Sequence, residues 1–150
     1  MARNLIVEAD GGSRGNPGPG GSGSILIDAD TGEILETIPR SLGVCTNNVA
    51  EYTGLVLGLE AAYRTDPDAR VEVRMDSKLV VEQMSGRWKI KHPDMQKLAA
   101  IARDLIGQRE VRFTWVPRAQ NSRADAAANA AMDRPAEYAG PNPLAGDALF

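Results

Sequence analysis

The stretch VEADGGSRGNPGPGG, residues 7 to 21, decides how the rest of the chain is read. Its left end continues back to Arg3 as a short apolar run that reads as a strand over residues 3 to 9, closing on an acid, Asp10. To the right, glycine and proline are dense enough to predict an irregular turn from Asp10 to Gly21. Two further strands are expected at residues 21 to 28 and 33 to 41, joined through Asp30-Thr31-Gly32, a plausible hairpin turn. The first forty residues therefore read as an antiparallel meander with a carboxylate at the end of its first strand.

Beyond the meander the period changes. Asn47-Asn48 offers a helix N-cap, and Val49, Tyr52, Val56, Leu59 and Tyr63 recur at helical spacing until the Thr65-Asp66-Pro67-Asp68 breaker. VEVRM at 71 to 75 alternates as a strand, and Asp76-Ser77 caps a helix running to about Met84, with Gly86 as its stop. Pro93 opens another helix, with Met95, Leu98, Ile101, Ala102 and Leu105 on one face. A strand is expected at 111 to 116, and Asn121-Ser122 starts an alanine-rich helix reaching about Met132. The order predicts an α/β domain whose sheet combines an antiparallel set with parallel crossovers. From Arg134 on, alanine, proline and glycine dominate without periodicity, so residues 1 to 134 are taken as the domain and 135 to 150 as a tail or linker. Such a run has little to bury, and deleting residues 136 to 150 is expected to leave activity and melting temperature nearly unchanged.

The bulk composition narrows the function classes. A chain of 150 residues that is 43% hydrophobic can build one domain with a sizeable core. Cys45 is the sole cysteine and His92 the sole histidine, which excludes an intrachain disulfide and a Cys/His zinc site and fits a reducing, cytoplasmic setting. Neither a signal peptide nor an apolar run of membrane-spanning length is visible, so no membrane association is expected. A net charge of -3 argues against coating nucleic acid by bulk attraction. One local basic segment, Arg87-Trp88-Lys89-Ile90-Lys91-His92, combines cations with an aromatic ring, although a solvated turn would read the same way.

Four acids fall where strands end or helices begin: Asp10, Glu51, Asp76 and Asp125. In an open α/β sheet those places share one edge, where ligands usually bind. Each acid also has an ordinary structural reading. Asp76 could cap a helix, Glu51 and Asp125 could complement a helix dipole, and Asp10 could be a turn residue. If the four converge, however, their mutual repulsion has to be relieved by protonation or cations, and hard oxygen donors suit Mg²⁺ or Mn²⁺.

The segments VEADGGSRGNPGPGG, TNNVAEY, VRMDSKLVV and NSRADAAAN, in this order, resemble the type 1 ribonucleases H over residues 3 to about 133. The resemblance implies a ribonuclease H-like fold with a five-stranded mixed sheet, antiparallel in its first three strands and flanked by helices. It implies an endonuclease that hydrolyses the RNA strand of RNA/DNA hybrids, leaving 5′-phosphate and 3′-hydroxyl ends. Asp10, Glu51, Asp76 and Asp125 would be both catalytic and metal-binding, holding two Mg²⁺ ions per site with Mn²⁺ able to substitute. Substrate contacts map to Ser13, Asn16, Asn47 and Asn48, whose side chains can both donate to and accept from a ribose 2′-hydroxyl. Thr46 resembles a position that seats a DNA-strand phosphate, Lys78 stands where some relatives carry glutamine, and Trp88 resembles the handle that grips the DNA strand. Monomeric action is expected, and some bacterial relatives continue from a similar tail into a phosphatase-like domain.

Two departures stand out. The basic handle is short and lacks the extra helix of relatives with a long protrusion. The loop before the last helix, Val116-Pro117-Arg118-Ala119-Gln120-Asn121, lacks the histidine that many relatives place there; Arg118 is the best-placed substitute, acting by charge because a guanidinium cannot shuttle protons. Three other readings compete: a hybrid-binding module without activity, a DNA-directed nuclease of the wider superfamily, and a nucleotide-binding domain built on the glycine-rich loop. The last is disfavoured because GNPGPGG lacks the Lys-Ser/Thr ending of a P-loop and its prolines remove backbone donors.

Overall fold

The structure is a computed structural model that describes residues 2–146. Its strands are β1 (Asn4–Ser13), β2 (Gly18–Asp28), β3 (Ile34–Cys45), β4 (Arg70–Met75) and β5 (Val111–Trp115), and its helices are α1 (Asn47–Thr65), α2 (Lys78–Met84), α3 (Pro93–Ile106) and α4 (Ser122–Asp133). One sheet has the order β3-β2-β1-β4-β5. β1 pairs antiparallel with β2 and parallel with β4, β2 pairs antiparallel with β3, and β4 pairs parallel with β5. The mixed sheet with an antiparallel first half agrees with the expectation from sequence. The carboxyl ends of β1, β4 and β5 lie at one edge, which is where α1, α2 and α4 begin.

Strand alternation divides the molecule into two layers of packing. Leu5, Val7 and Ala9 of β1 and Val71, Val73 and Met75 of β4 point to one face, where they meet Tyr52, Leu55 and Leu59 of α1 and Leu98 of α3. Ile6 of β1 and Ile25 and Ile27 of β2 point to the other face and meet Ala124 and Ala127 of α4. Burying each large aliphatic side chain contributes roughly 1.5–3 kcal/mol relative to leaving it exposed. α1 is buried on nearly every side, because it lies between the sheet and α3.

The glycine-rich run behaves differently from its expected turn. β1 continues past Asp10 to Ser13 and β2 starts at Gly18, so only residues 14 to 17 remain as the turn, with a cis Asn16–Pro17 peptide. These glycines serve close packing. A Cβ on Gly11 would sit 2.2 Å from the carbonyl carbon of Ala50, and one on Gly54 would sit 2.6 Å from the Asp10 carbonyl oxygen, so β1 and α1 touch backbone to backbone. Ser22 Oγ donates to Ala50 O at 2.6 Å across the same contact. Gly23 meets α4 in the same way on the opposite face. A strand ladder occupied by such contacts offers no phosphate cradle, which removes the nucleotide-loop reading.

Other boundaries shift for local reasons. β3 runs to Cys45 instead of stopping near residue 41, because its pairing with β2 persists to Gly18. α1 is capped by Thr46, whose Oγ1 accepts from Val49 N at 3.3 Å, and not by Asn47-Asn48. Ser77 caps α2 while the Asp76 side chain stays out of that role. Asn121 precedes α4 without a side-chain cap bond.

Residues 135 to 146 do not dangle. Ser41 N donates to Tyr138 O and Ser41 Oγ to Pro135 O, both at 2.9 Å, and Lys97 Nζ reaches Leu144 O at 3.0 Å. Pro143 is buried and Leu144 packs against the main core. Most of the segment is exposed, in keeping with a run that has little to bury, but it is docked and not free, since proline-rich chain can attach through single contacts that carry no period. Residues 147 to 150 of the expected tail lie outside the described residues.

Candidate active site

The sheet edge gathers the four sequence-predicted acids into one cleft of about 380 Å³. Asp10 lies near the outer end of β1, Glu51 in the first turns of α1, Asp76 directly after β4, and Asp125 in the first turn of α4. The β1–α1 backbone contact sets Glu51 beside Asp10, because Gly11 approaches Ala50 and the amide of Glu51 directly. Parallel pairing of β1 with β4 brings Asp76 to the same edge. α4 crosses the other face with its start at that edge.

Crowding of like charges alters their chemistry. Burial and then the Asp76 carboxylate push the Asp10 carboxyl up to about 8, helped by a hydrogen bond with Asp125 and by that residue's charge, while the Gly11 amide pulls the other way. Glu51 is raised to about 7, chiefly by burial with a push from Asp76, and a hydrogen bond with Ser77 opposes this. A site that resists ionisation in this way favours bound cations. Among the described residues, no three acidic, histidine or cysteine side chains close on one point as a ready-made metal cage. Magnesium does not need one, because it keeps several waters and usually takes only one or two carboxylates plus substrate phosphates. An all-oxygen donor set in an open cleft fits that cation.

The remaining predicted residues fall into two groups. Ser13, Asn47 and Arg118 line the cleft with the acids. Asn47 Oδ1 accepts from Ser13 N at 2.9 Å and from Ser13 Oγ at 3.1 Å, and Asn47 N donates to Asn16 Oδ1 at 3.0 Å, so three predicted residues form one linked rim. Arg118 lies 3.8 Å from Asp125 Oδ1, with its side chain 80% exposed. Thr46, Asn48, Lys78 and Trp88 are not among its lining residues. Thr46 spends its hydroxyl on the α1 cap, and Trp88 is exposed beyond α2. Lys89, next to Trp88, is pinned by Gln83, whose Nε2 donates to Lys89 O at 2.9 Å and whose Oε1 accepts from Tyr52 Oη at 2.7 Å. His92 Nδ1 accepts from Asp94 N at 3.2 Å and so caps α3, away from the acids.

Five contributors were not legible as site residues. Asn121 reads in sequence as a helix cap, yet it is buried with Nδ2 donating to Ala9 O and Asp76 Oδ1, both at 2.9 Å. Its Oδ1 is buried without a partner, so the amide is kept for its N–H groups. Arg14 and Asn129 line the cleft and bond to each other at 3.3 Å, with Arg14 also reaching Asp133 Oδ1 at 2.8 Å. The arginine in the glycine-rich turn was the available signal. The Glu8–Arg123 pair behind the acids is bidentate, at 3.1 and 2.8 Å, and ties the start of α4 to β1.

Known proteins agree with this geometry. The family model described as reverse transcriptase-like matches residues 8–131. A bifunctional protein of Mycobacterium tuberculosis is 52% identical over 136 residues, covering 90% of this chain and 37% of the relative. Ribonuclease HI of Halobacterium salinarum is 45% identical, covering 83% of this chain and 62% of the relative. The chain thus spans between about a third and two thirds of the length of these curated relatives. Ribonuclease H of Alcanivorax borkumensis is 31% identical, covering 87% of this chain and 93% of the relative. Among solved structures, the N-terminal ribonuclease H domain of the M. tuberculosis protein superposes with a TM-score of 0.86 at 51% identity, covering 91% of this chain and 98% of that one. The enzyme LC11-RNase H1, solved in complex with an RNA/DNA hybrid, gives 0.83 at 38% identity, with 89% and 99% covered. With the fold, the ordered motifs and the matched family model in agreement, the chain belongs to the type 1 ribonuclease H family.

Proposed function

We propose that this domain is an endonuclease that hydrolyses the RNA strand of RNA/DNA hybrids with the help of divalent cations, leaving 5′-phosphate and 3′-hydroxyl ends. The observation that carries the reading is the convergence of four carboxylates from four separate elements on one open cleft, with Asp10 and Glu51 held far above the ordinary carboxylate range. The hybrid complex of the similar LC11 enzyme supports the substrate class.

Asp10, Glu51, Asp76 and Asp125 would hold two Mg²⁺ ions, with Mn²⁺ able to substitute. Following the family resemblance, Asp10 would help to hold both ions, Asp125 would contribute where water is activated, and Glu51 with Asp76 would contribute where the 3′ oxygen leaves. The chemistry such ions would supply when bound is activation of a water, neutralisation of phosphoryl charge and stabilisation of the leaving oxygen. The chain's own contribution is placement. Asn121 holds the Asp76 carboxylate from behind, and the hydrogen bond between Ser77 and Glu51 fixes that acid. Arg118 brings a permanent positive charge to the Asp125 side and meets a phosphate oxygen of substrate or product. With Asn47 Oδ1 occupied by Ser13, the Asn47 amide nitrogen is left to donate to a ribose hydroxyl. Trp88 and its basic neighbours meet the DNA strand.

The test is incubation with labelled RNA/DNA hybrid, duplex DNA, duplex RNA and single-stranded RNA, each with Mg²⁺ or EDTA. Cutting of the hybrid alone, abolished by EDTA, is the expected result. Binding without cutting would assign a hybrid-binding module, and cutting of duplex DNA would assign a DNA-directed nuclease.

A further inference from the structure

Next to the cleft, just behind Asp76, stand two residues to which neither the four acids nor the asparagine rim gives a role. Trp115 ends β5 with 47% of its surface exposed. Its indole N–H donates to the carbonyl oxygen of Asp76 at 3.2 Å, which satisfies the polar atom and fixes the ring while its apolar surface stays open. Lys78 Nζ lies 5.9 Å from the ring centroid. The acid one turn along α2, Glu82, is hydrogen-bonded to Arg87 and feels Lys78 only through space as a smaller effect, so the Lys78 ammonium stays available to the ring and to an incoming anion. An aromatic face with a free cation, anchored on the backbone of a cleft acid, is suited to a sugar-phosphate chain.

We propose that Trp115 and Lys78 form a contact platform for the backbone of the strand being cut, immediately beside its reacting phosphate. The inference rests on the ribonuclease H reading above. A strand seated at Asp76 has nucleotides on both sides of that phosphate. On the β5 side, the Trp115 ring bonded to the Asp76 backbone and the Lys78 ammonium over it stand next to such a strand. In a paired hybrid the bases are stacked on each other, so the ring packs on ribose and the ammonium meets a phosphate. The platform is separate from the Trp88 handle, which lies beyond α2.

The chain has two tryptophans, so Trp88→Phe leaves Trp115 as the sole indole reporter. In an Asp125→Asn background with Mg²⁺, an RNA/DNA hybrid labelled on its DNA strand is titrated while anisotropy reports binding and indole emission reports Trp115. Emission that is quenched along the anisotropy curve is expected. With Trp88 restored, Trp115→Leu should raise Kd about 5-fold and Trp115→Phe, which keeps an aromatic face, less than 2-fold. Lys78→Gln should lower the slope of log Kd against log salt by about 1. In the active enzyme both Trp115→Leu and Lys78→Gln should raise KM more than they lower kcat. Unchanged emission during clear binding, together with an unchanged salt slope in Lys78→Gln, overturns the platform and leaves the ribonuclease reading standing. A hybrid that no form of the protein binds overturns both.

Discussion

At Asn121 one buried amide bonds two strand ends at once, the Ala9 carbonyl and the Asp76 carboxylate. Asn121→Ala leaves that carbonyl without its partner and frees Asp76 to move, so it should destabilise the fold by about 1–3 kcal/mol in urea titrations and lower kcat while leaving hybrid affinity nearly intact. An Asn121→Ala protein of unchanged stability would show that the amide bonds are replaceable by water. The loop just before it sets up a second contrast. Arg118 lies against Asp125 whereas His92 caps α3, so Arg118→Ala should lower the cleavage rate roughly 10- to 100-fold. His92→Ala should change it only a few fold. If steady-state rates reverse that order, the histidine has a part in the chemistry that its position here denies. The four acids were legible because strand ends and helix starts are marked by period changes in the sequence. Asn121 was not, because an asparagine ahead of a helix reads as a cap until the strand behind it is placed.

The element that misled was the glycine-rich hairpin. Glycine and proline density is a sound turn signal, but it does not distinguish a turn from a strand whose side chains have been removed to admit a helix backbone. Gly11→Ala tests this directly. With its Cβ 2.2 Å from the Ala50 carbonyl carbon, β1 and α1 must separate, shifting Glu51 from Asp10. The variant should lose about 1–3 kcal/mol in denaturant unfolding and most of its hybrid cleavage. A variant with wild-type stability and rate would mean that the β1–α1 spacing does not set the acids. The segment after α4 misled in the opposite sense. Deleting residues 135 to 150 removes the bonds to Ser41 and Lys97 and uncovers core around Leu144. A loss of about 1–2 kcal/mol is expected, or roughly 2–8 °C in melting temperature; an unchanged melting temperature would restore the free-tail reading. Helices α1 and α3 were legible to within a few residues because apolar positions recur along them at helical spacing, and strands β4 and β5 because each is a short alternating run.

For the molecule as a whole, charge links stability to function. Asp10 near 8 and Glu51 near 7 hold their protons more tightly in the folded state than at their ordinary values of 3.8 and 4.5. Stability from these groups is therefore fully present below about pH 4 and is lost as pH rises through 7 to 8. In EDTA the melting temperature should fall between pH 5 and pH 9, Asp10→Asn should flatten that fall, and Mg²⁺ should offset it in the wild type. A melting temperature that climbs over this range in EDTA would contradict the crowding of the four acids. A molecule of net charge -3 meets a polyanion only through such local neutralisation and the few cations at its rim. The most direct test of the central claim pairs hybrid binding with single-turnover cleavage by wild type and Asp76→Asn in Mg²⁺. Hybrid binding close to wild type with cleavage abolished in a folded Asp76→Asn protein is the predicted result, and near-normal turnover by that protein would contradict it.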